Sequence, residues 1–365
     1  MEAKTVAIVG MGLIGGSLAK AIRKIPWIKT IIGIDTDENV LNLALKQGVL
    51  DRVSKDIDSS ISDSDIVFVC TPVEKIIKCV KKLNDFIKKD CIVTDTGSIK
   101  GNIVFEIEKL NGDFVFVGGH PMCGSEKAGF EVSRGHLFEN AYYILTPSEH
   151  SKETAVKVLE EIIIEIGAIP VIIDNRKHDL VTGAISHFPH VVSAAIVNTV
   201  NKLDGKENYM RTLAAGGFKD ITRISSSNPE MWKNIVIKNK DNIYEILDSF
   251  VGLIKEFKDC LLRNDQDSVY KYFESAKEYR DTFSSENIGL IKPLNDITVD
   301  VKDRPGEIGR IATLLGDSNI NIKNINVSNS RENEQGCLRI SLSDIEGTEK
   351  ACKVLKDYEY KVYRI

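Results

Sequence analysis

Short apolar runs alternate with amphipathic segments along the first half of the chain. The apolar runs are rich in Val and Ile and end at Gly, Asp, Thr or Pro; they are TVAIVG, IIGID, IVFVC, CIVTD, FVFVGG, YYIL and IPVIID. Runs of this kind are typical of buried strands. The segments between them have helical spacing, and VLNLALKQG ends at Gly48, a C-cap signal. We therefore predict a doubly wound, parallel α/β sheet and place a first domain at 1–174.

The pattern changes after Asp174. Two long segments, HDLVTGAISHFPHVVSAAIVNTVNKL and EMWKNIVIKNKDNIYEILDSFVGLIKEFKDCLLRN, carry apolar residues at helical spacing, and no strand alternation recurs before about residue 288. This predicts an all-helical second domain at 175–290. Its wide apolar faces suit a helical dimer interface, although an ordinary core explains them equally well.

A third unit begins near Leu294. ITVDV alternates as a half-buried strand, DRPG is a turn, and Ile308, Ile311 and Leu315 fall on one helical face. INIKNINVSNS and CLRISLSD read as two further strands, TEKACKVLKD as a helix and YKVYRI as a last strand. The order βαββαβ predicts a ferredoxin-like domain at 295–365.

Composition narrows the function classes. The 365 residues include 48 Lys and Arg against 53 Asp and Glu, a net charge of −5, which argues against a nucleic-acid backbone binder. We expect no membrane span, no signal peptide and a cytoplasmic location. The seven cysteines are widely spaced and no C-x-x-C occurs, which indicates free thiols in a reducing compartment. No second pair completes a zinc site with His120 and Cys123, so we expect no metal.

A glycine motif follows the first strand. Gly10-Met11-Gly12-Leu13-Ile14-Gly15 fits G-x-G-x-x-G, whose glycines allow a tight turn, close approach of a pyrophosphate and packing of the helix on the sheet. The following helix N-terminus presents free N–H groups to the anion. The motif predicts a dinucleotide site in a Rossmann-type sheet, to which we also assign Thr71, after the IVFVC run. A flavin site, a methyl-donor site or a vestigial site on the same fold is the alternative.

Asp35 decides which dinucleotide we expect. It ends the second strand 20 residues after Gly15, where a carboxylate accepts from ribose hydroxyls and repels a 2′-phosphate. The next four residues, TDEN, supply no Lys or Arg to hold such a phosphate. We therefore predict NAD rather than NADP.

Two further strands end in groups that suit catalysis. Ligands of doubly wound sheets sit beyond the carboxyl ends of the strands, which places Ser98 of TDTGS near a nicotinamide, unless Ser98 only caps a helix. His120 of GGHPMCGSE is held between glycines and a proline, and a neutral imidazole there can take a proton near pH 7. The alternative is a His that satisfies backbone groups of the loop.

The helical region carries two more candidates. In Ser186-His187-Phe188-Pro189-His190, the proline predicts a start, break or kink, and the two histidines share roughly one face. They form either a polar pocket or core contacts to the backbone. In GGFKDITR, Lys219 and Arg223 are four residues apart, and Arg223 could hold a carboxylate or simply pair with Asp220.

Taken together, the motifs resemble those of the prephenate dehydrogenase family over nearly the whole chain. They are GMGLIGGS, DTGSIKG, GGHPMCGSEKAG, SHFPH and GGFKDITRI–NPEMW, in the family's order. The last 70 residues, with the DRPG turn, resemble an ACT domain, a small-molecule regulatory module. The resemblance implies a Rossmann-type domain, a helical dimerisation domain and an ACT domain, in a homodimer or higher oligomer.

The resemblance also implies a reaction and roles for residues. Prephenate and NAD would give 4-hydroxyphenylpyruvate, carbon dioxide and NADH, with His120 accepting the ring hydroxyl proton and Ser98 orienting His120 or that hydroxyl. Arg223 would bind a substrate carboxylate, and Trp232 would wall or brace the pocket. The remaining substrate-binding positions implied are Ser186, His190, Glu126, which would gate the pocket, and Lys219. Tyrosine would inhibit through the ACT domain, and our effector-binding candidates are Gly306, Asn319, Ile320 and Asn321.

Three other functions compete with this one. Arogenate dehydrogenases of the same family often lack the second histidine of the SHFPH motif, so His190 favours prephenate. A non-catalytic protein that senses NAD or amino acids would need none of Ser98, His120, His190 and Arg223. A hydroxyacid dehydrogenase of the 6-phosphogluconate type usually relies on a Lys beside its substrate, where this chain has a His in a GGHPM turn.

Overall fold

The computed structural model describes residues 3–124, 127–285, 295–302, 304–328, 335–342 and 344–364. The chain divides into two compact units, Met1–Asp259 and Cys260–Ile365. The predicted domain boundaries at residues 174 and 290 stay predictions.

The first unit is built on an eight-stranded sheet with helices on both faces. Its strands are β1 (Lys4–Val9), β2 (Ile28–Ile34), β3 (Arg52–Ser54), β4 (Ile66–Val69), β5 (Ile92–Asp95), β6 (Val115–Pro121), β7 (Tyr142–Pro147) and β8 (Ile169–Ile172). Its helices up to β8 are α1 (Leu13–Ile22), α2 (Glu38–Lys46), α3 (Ile76–Leu83), α4 (Gly101–Glu108) and α5 (Glu153–Glu165). The strand order is β3-β2-β1-β4-β5-β6-β7-β8.

Alternate residues of each strand enter separate cores. Val6 and Ile8 of β1 pack in one cluster, and Ala7 and Val9 pack in the other, on the opposite face. Because both faces are covered, the strands are apolar at nearly every position. Gly48 adopts a φ of +67° just beyond α2, as its C-cap signal predicted.

The Rossmann-type parallel sheet is confirmed for β1 to β6, and one pairing differs from the expected parallel arrangement. Strand β7 runs antiparallel to β6, and β8 is parallel to β7. Parallel neighbours need a crossover, usually a helix. The described residues between β6 and β7 form no helix, so the chain returns antiparallel.

Residues 175–285 are helical and contain no strand, as predicted. The helices are α6 (Asn175–Thr182), α7 (Phe188–Leu203), α8 (Tyr209–Thr212), α9 (Gly216–Thr222), α10 (Pro229–Lys238), α11 (Lys240–Leu262) and α12 (Gln266–Ser285). A π-helical turn, Gly183–His187, joins α6 to α7, and Pro189 is the second residue of α7. The proline at the start of α7 therefore coincides with a change of helix winding.

One helical stretch is long and apolar enough to cross a membrane, by length and composition only. Asn175–Leu203 spans 29 helical residues, and its apolar 18-residue window has a mean hydropathy of 1.5 and is 22% buried. In this stretch His, Ser, Thr and Gly separate the apolar residues without adding full charges. The core helix of a protein that lies outside any membrane can have the same length and composition, so this stretch alone is weak evidence for a span.

The second unit ends in the predicted βαββαβ fold. Its elements are β9 (Asn295–Lys302), α13 (Glu307–Asp317), β10 (Ile322–Ser328), β11 (Gln335–Leu342), α14 (Ile345–Asp357) and β12 (Lys361–Arg364). The four strands form an antiparallel sheet in the order β10-β11-β9-β12, which is the ferredoxin-like order.

Candidate active site

The glycine turn between β1 and α1 is built for close backbone contact. Gly10 has a φ of +96°, and a Cβ there would lie 2.7 Å from the carbonyl oxygen of Cys70. A Cβ on Gly15 would lie 1.9 Å from the carbonyl oxygen of Gly10, so α1 can approach β1 only with glycine at this position. Gly12 is the N-cap of α1, and no side chain caps the helix. The first N–H groups of α1 can therefore bind a phosphate.

Asp35 lies beside this turn, directly after β2. Its Oδ2 accepts from the backbone N–H of Met11 at 2.7 Å, and its Oδ1 accepts from the N–H of Asp37 at 3.0 Å. Leu13 and Ile14 open α1 and are partly exposed. Thr71 follows β4 and is partly exposed, with its hydroxyl 3.9 Å from the Cys79 thiol. The motif and the carboxylate expected at the ribose therefore lie together.

A buried carboxylate joins the Ser98 loop to the strand that carries His120. Asp95, at the end of β5, accepts from the N–H of Gly97 at 2.9 Å and from the N–H of Gly119 at 3.2 Å. It also forms an ion pair with Lys100, and neither side chain is exposed. Ser98 is partly exposed in this loop.

Ser98 is not the cap of the following helix. Helix α4 begins at Gly101, and the side chain that reaches its first N–H groups belongs to Asp179 of α6. Oδ1 and Oδ2 of Asp179 accept from the N–H groups of Lys100 and Gly101, each at 2.8 Å. The capping alternative is therefore wrong, and the Ser98 hydroxyl is not held by α4.

His120, near the end of β6, contacts a second histidine. Its Nδ1 lies 2.8 Å from Nε2 of His178, and Nδ1 of His178 lies 2.8 Å from Oδ1 of Asp179. Burial, together with the neighbouring His178, Lys100 and His187, lowers the pKa of His120 well below its ordinary value. His120 is therefore neutral at pH 7 and can accept a proton.

Sequence reasoning missed His178 and Asp179. They stand in the HDLVTG segment, which showed only helical spacing, and their partner His120 is 58 residues away. The available signal was a His directly before an Asp near the start of a helix. Lys100 was missed for a related reason, because a Lys in a polar loop gives no sign of complete burial.

The two histidines of the SHFPH motif differ in burial, since His187 is buried and His190 is partly exposed. His187 is 1% exposed, and Nδ2 of Asn239 donates to its Nδ1 at 2.9 Å, so it is a core residue. His190 is half-buried, donates from Nδ1 to the carbonyl of Ser186 at 2.9 Å, and stacks on Trp232 with ring centroids 3.6 Å apart. Its Nε2 remains available for a ligand. Trp232 therefore braces the ring of His190, and its role in walling or bracing a substrate pocket stays a prediction.

Arg223, the arginine predicted to bind a substrate carboxylate, lies within electrostatic reach of His190. Arg223 is exposed and starts the 3₁₀ turn Arg223–Ser226 directly after α9. Its charge, after burial, lowers the pKa of His190. Lys219 is exposed on α9, and Glu126 lies outside the described residues. Among the described residues, no group of three or more His, Cys, Asp and Glu side chains could hold a metal ion.

Acidification below about pH 6.5 is expected to destabilise the first unit. Burial is the largest cause that lowers the pKa of His120, His178, His187 and His190, for His187 to about 4. Below about pH 6.5 the unfolded chain binds protons that the folded chain does not, so the free energy of unfolding decreases as the pH is lowered. The slope is up to about 1.4 kcal/mol per pH unit for each such histidine. Urea unfolding followed by tryptophan fluorescence checks this, since both tryptophans, Trp27 and Trp232, lie in the first unit.

Two glutamine variants test whether the buried His187 contributes to this pH dependence of stability. His187→Gln should reduce the loss of stability between neutral pH and about pH 5, because one uncompensated protonation disappears. His150→Gln is the matched control, since His150 is exposed, and it should keep the wild-type pH dependence. Equal slopes for all three proteins would contradict the assignment.

Three family models match the chain. They are the prephenate dehydrogenase nucleotide-binding domain over residues 18–172, the prephenate dehydrogenase dimerization domain over 174–275, and the ACT domain over 296–359.

Individual proteins are similar over most of the length. A prephenate dehydrogenase of Bacillus subtilis (strain 168) is 38% identical over 360 residues, which are 97% of this chain and 97% of that protein. The crystal structure of prephenate dehydrogenase from A. aeolicus, in complex with hydroxyphenyl propionate and NAD+, is 32% identical with a TM-score of 0.73; it covers 78% of this chain and 99% of that one. Synechocystis arogenate dehydrogenase is 26% identical with a TM-score of 0.69, over 76% and 99% of the two chains.

Proposed function

The chain belongs to the prephenate dehydrogenase family, and from this premise we propose that it catalyses the oxidative decarboxylation of prephenate to 4-hydroxyphenylpyruvate. It is an oxidoreductase and its cofactor is NAD. The observation that carries the proposal is the neutral, partly buried His120 at the end of β6, beside the loop of Ser98.

The residues of the glycine turn fit NAD. A Cβ placed on Gly12 would meet no atom within 4 Å, so the backbone there is open to a pyrophosphate, and the N–H groups that open α1 have no side-chain cap. Asp35, held by two backbone N–H groups, would accept from the ribose hydroxyls. When bound there, NAD supplies the hydride acceptor.

His120 would accept one proton during the reaction and then return it. As hydride leaves the ring carbon that bears the hydroxyl, Nε2 of His120 takes the hydroxyl proton. Loss of the ring carboxylate as carbon dioxide makes the ring aromatic, and the proton can return to the phenolate oxygen. The net change is prephenate and NAD to 4-hydroxyphenylpyruvate, carbon dioxide and NADH. Ser98 would orient the hydroxyl or His120.

The helical residues would bind the rest of the substrate. Arg223 offers a guanidinium that matches a carboxylate in two hydrogen bonds. Nε2 of His190 lies in the same electrostatic environment, and the stack on Trp232 fixes the plane of its ring. Ser186, Lys219 and Glu126 complete the proposed set. Because the protein binds charge and positions groups while aromatisation drives carbon dioxide loss, this small set is sufficient.

We infer regulation by tyrosine at the ACT domain. Gly306 has a φ of +89° before α13, and Glu307 after it accepts from Arg304 at 2.5 Å and from the Tyr360 hydroxyl at 2.6 Å, which braces the turn. Asn319, Ile320 and Asn321 follow the other end of α13. The helix has 11 residues, so about 16 Å separates the two groups. One amino acid would touch both only if two ACT copies pair.

NADH formation from NAD with prephenate or arogenate, with and without tyrosine, tests the whole proposal. We expect turnover of prephenate that saturating tyrosine suppresses at low prephenate, because an effector that favours one conformation lowers substrate affinity. Preference for arogenate would contradict the argument that His190 indicates prephenate as the substrate. Unchanged activity in tyrosine would remove the regulatory role. No turnover of either substrate, in protein that still binds NAD, would favour a sensing protein.

We further infer a cytoplasmic homodimer or higher homo-oligomer that binds neither nucleic acid nor membranes. All seven cysteines are free thiols, as a reducing compartment favours. Large apolar side chains are exposed along the helical region, with Leu213 at 75%, Tyr244 at 73% and Leu262 at 81%. Such a surface suits the helical interface of an oligomer.

A further inference from the structure

The first observation is an unbroken chain of hydrogen bonds that ends on the proposed base. Asp179 receives three N–H groups, from Nδ1 of His178 and from the backbone of Lys100 and Gly101, each at 2.8 Å. His178, with no exposed surface, bridges Asp179 to His120 through its Nε2, 2.8 Å from Nδ1 of His120. We propose that Asp179 and His178 are positioning residues that hold His120 with its proton on Nδ1 and its lone pair on Nε2; this rests on the proposed function.

Donor and acceptor capacity fixes the direction of every bond in this chain. An ionised carboxylate only accepts, so Nδ1 of His178 carries a proton and donates to Asp179. Burial lowers the pKa of His178, which keeps the ring neutral. A neutral imidazole has one donor and one acceptor, so Nε2 of His178 accepts and Nδ1 of His120 donates. The only nitrogen of His120 left with a lone pair is Nε2.

This arrangement matters when His120 takes a proton. The imidazolium that forms keeps its Nδ1–H bond to His178, and the carboxylate at the far end of the chain stabilises the new positive charge. The same carboxylate caps α4 and so fixes the loop of Ser98 against the same two histidines. A Cβ on Gly101 would lie 2.9 Å from Oδ2 of Asp179, so glycine permits this close contact.

The tautomer of each histidine can be measured spectroscopically, without any turnover of substrate. The chain has six histidines, so ¹⁵N-histidine labelling gives six ring systems, and the signal lost in His120→Asn identifies His120. We expect the Nδ1–H tautomer for both His120 and His178 in the wild-type protein at pH 7.5. In His178→Leu, His120 should move towards the Nε2–H tautomer, which imidazole side chains favour in water. An Nε2–H tautomer of His120 in the wild-type protein would overturn the proposal.

The kinetics of two His178 variants distinguish a positioning role of this residue from a packing role. His178→Leu removes the acceptor and should lower kcat by about 100-fold, with KM for prephenate and the affinity for NAD unchanged. His178→Gln keeps an acceptor towards His120 and a donor towards Asp179, so it should recover most of that loss. Equal losses of kcat in both variants, or a wild-type kcat in His178→Leu, would contradict the proposal. A wild-type protein that forms no NADH from prephenate would instead contradict the proposed function, and the tautomer would still be decided by the spectra.

Discussion

Replacing His120 with Asn is expected to lower kcat by about 10²–10⁴-fold while NAD and prephenate still bind. The amide nitrogen of Asn can take the place of Nδ1 and donate to His178, which preserves the buried contact seen at 2.8 Å. It offers no basic atom where Nε2 would receive the hydroxyl proton. Steady-state kcat and KM, with NAD affinity from fluorescence titration, check this expectation.

A second histidine in the same part of the chain supplies the matched control. His136 is exposed in the segment that follows β6, and His136→Asn should retain wild-type kcat and KM. Near-normal turnover in His120→Asn would assign the proton acceptor to another group. A loss of NAD affinity in that variant would show that its effect is not confined to the proton.

Replacing Lys100 with Met is expected to lower the free energy of unfolding of the first unit by about 3–5 kcal/mol. Lys100 and Asp95 have no exposed surface, so the variant leaves a carboxylate buried with two backbone N–H groups and no positive charge. That loss is a large share of the roughly 5–15 kcal/mol by which domains are stable. Urea unfolding monitored by tryptophan fluorescence measures it.

Lys157→Met is the control, because it makes the same change in an exposed ion pair. Lys157 pairs with Glu153 four residues earlier on α5, at 2.6 Å. A pair of this kind contributes about 0.3–0.5 kcal/mol, so the control should unfold close to the wild-type midpoint. Similar losses of unfolding free energy in Lys100→Met and Lys157→Met would contradict the large cost expected for breaking the buried pair.

The elements were predictable from the sequence because their signals are local. The Val- and Ile-rich runs, the Gly10–Gly15 turn and the DRPG turn each specify a conformation within a few residues. The direction of β7 was not predictable, since it depends on whether a helix forms between β6 and β7. The strand-end rule placed Ser98 and His120 in one region, and the structure joins their segments through Asp95.

The partners of the candidate base could not be predicted in the same way. A hydrogen bond between His120 and His178 depends on how two elements pack, and neither segment carries a periodic signal for it. The same holds for the division between His187 and His190, whose positions in the motif are alike. Their different burial, the stack of His190 on Trp232 and the bond from Asn239 to His187 distinguish the two residues, and all three depend on packing.

The bond between Asp179 and the first N–H groups of α4 has a consequence for how such enzymes can be recombined. The sequence looks modular, with a natural cut near Asp174, and each piece has a recognisable pattern of its own. Yet His120 and the α4 amides lie before that cut, while His178 and Asp179 lie after it. On the roles proposed above, a chimaera made at this boundary would take its proton acceptor from one parent and the residues that set the tautomer of that acceptor from the other. We therefore expect that activity would be kept only when the two pieces are exchanged between relatives as a matched pair.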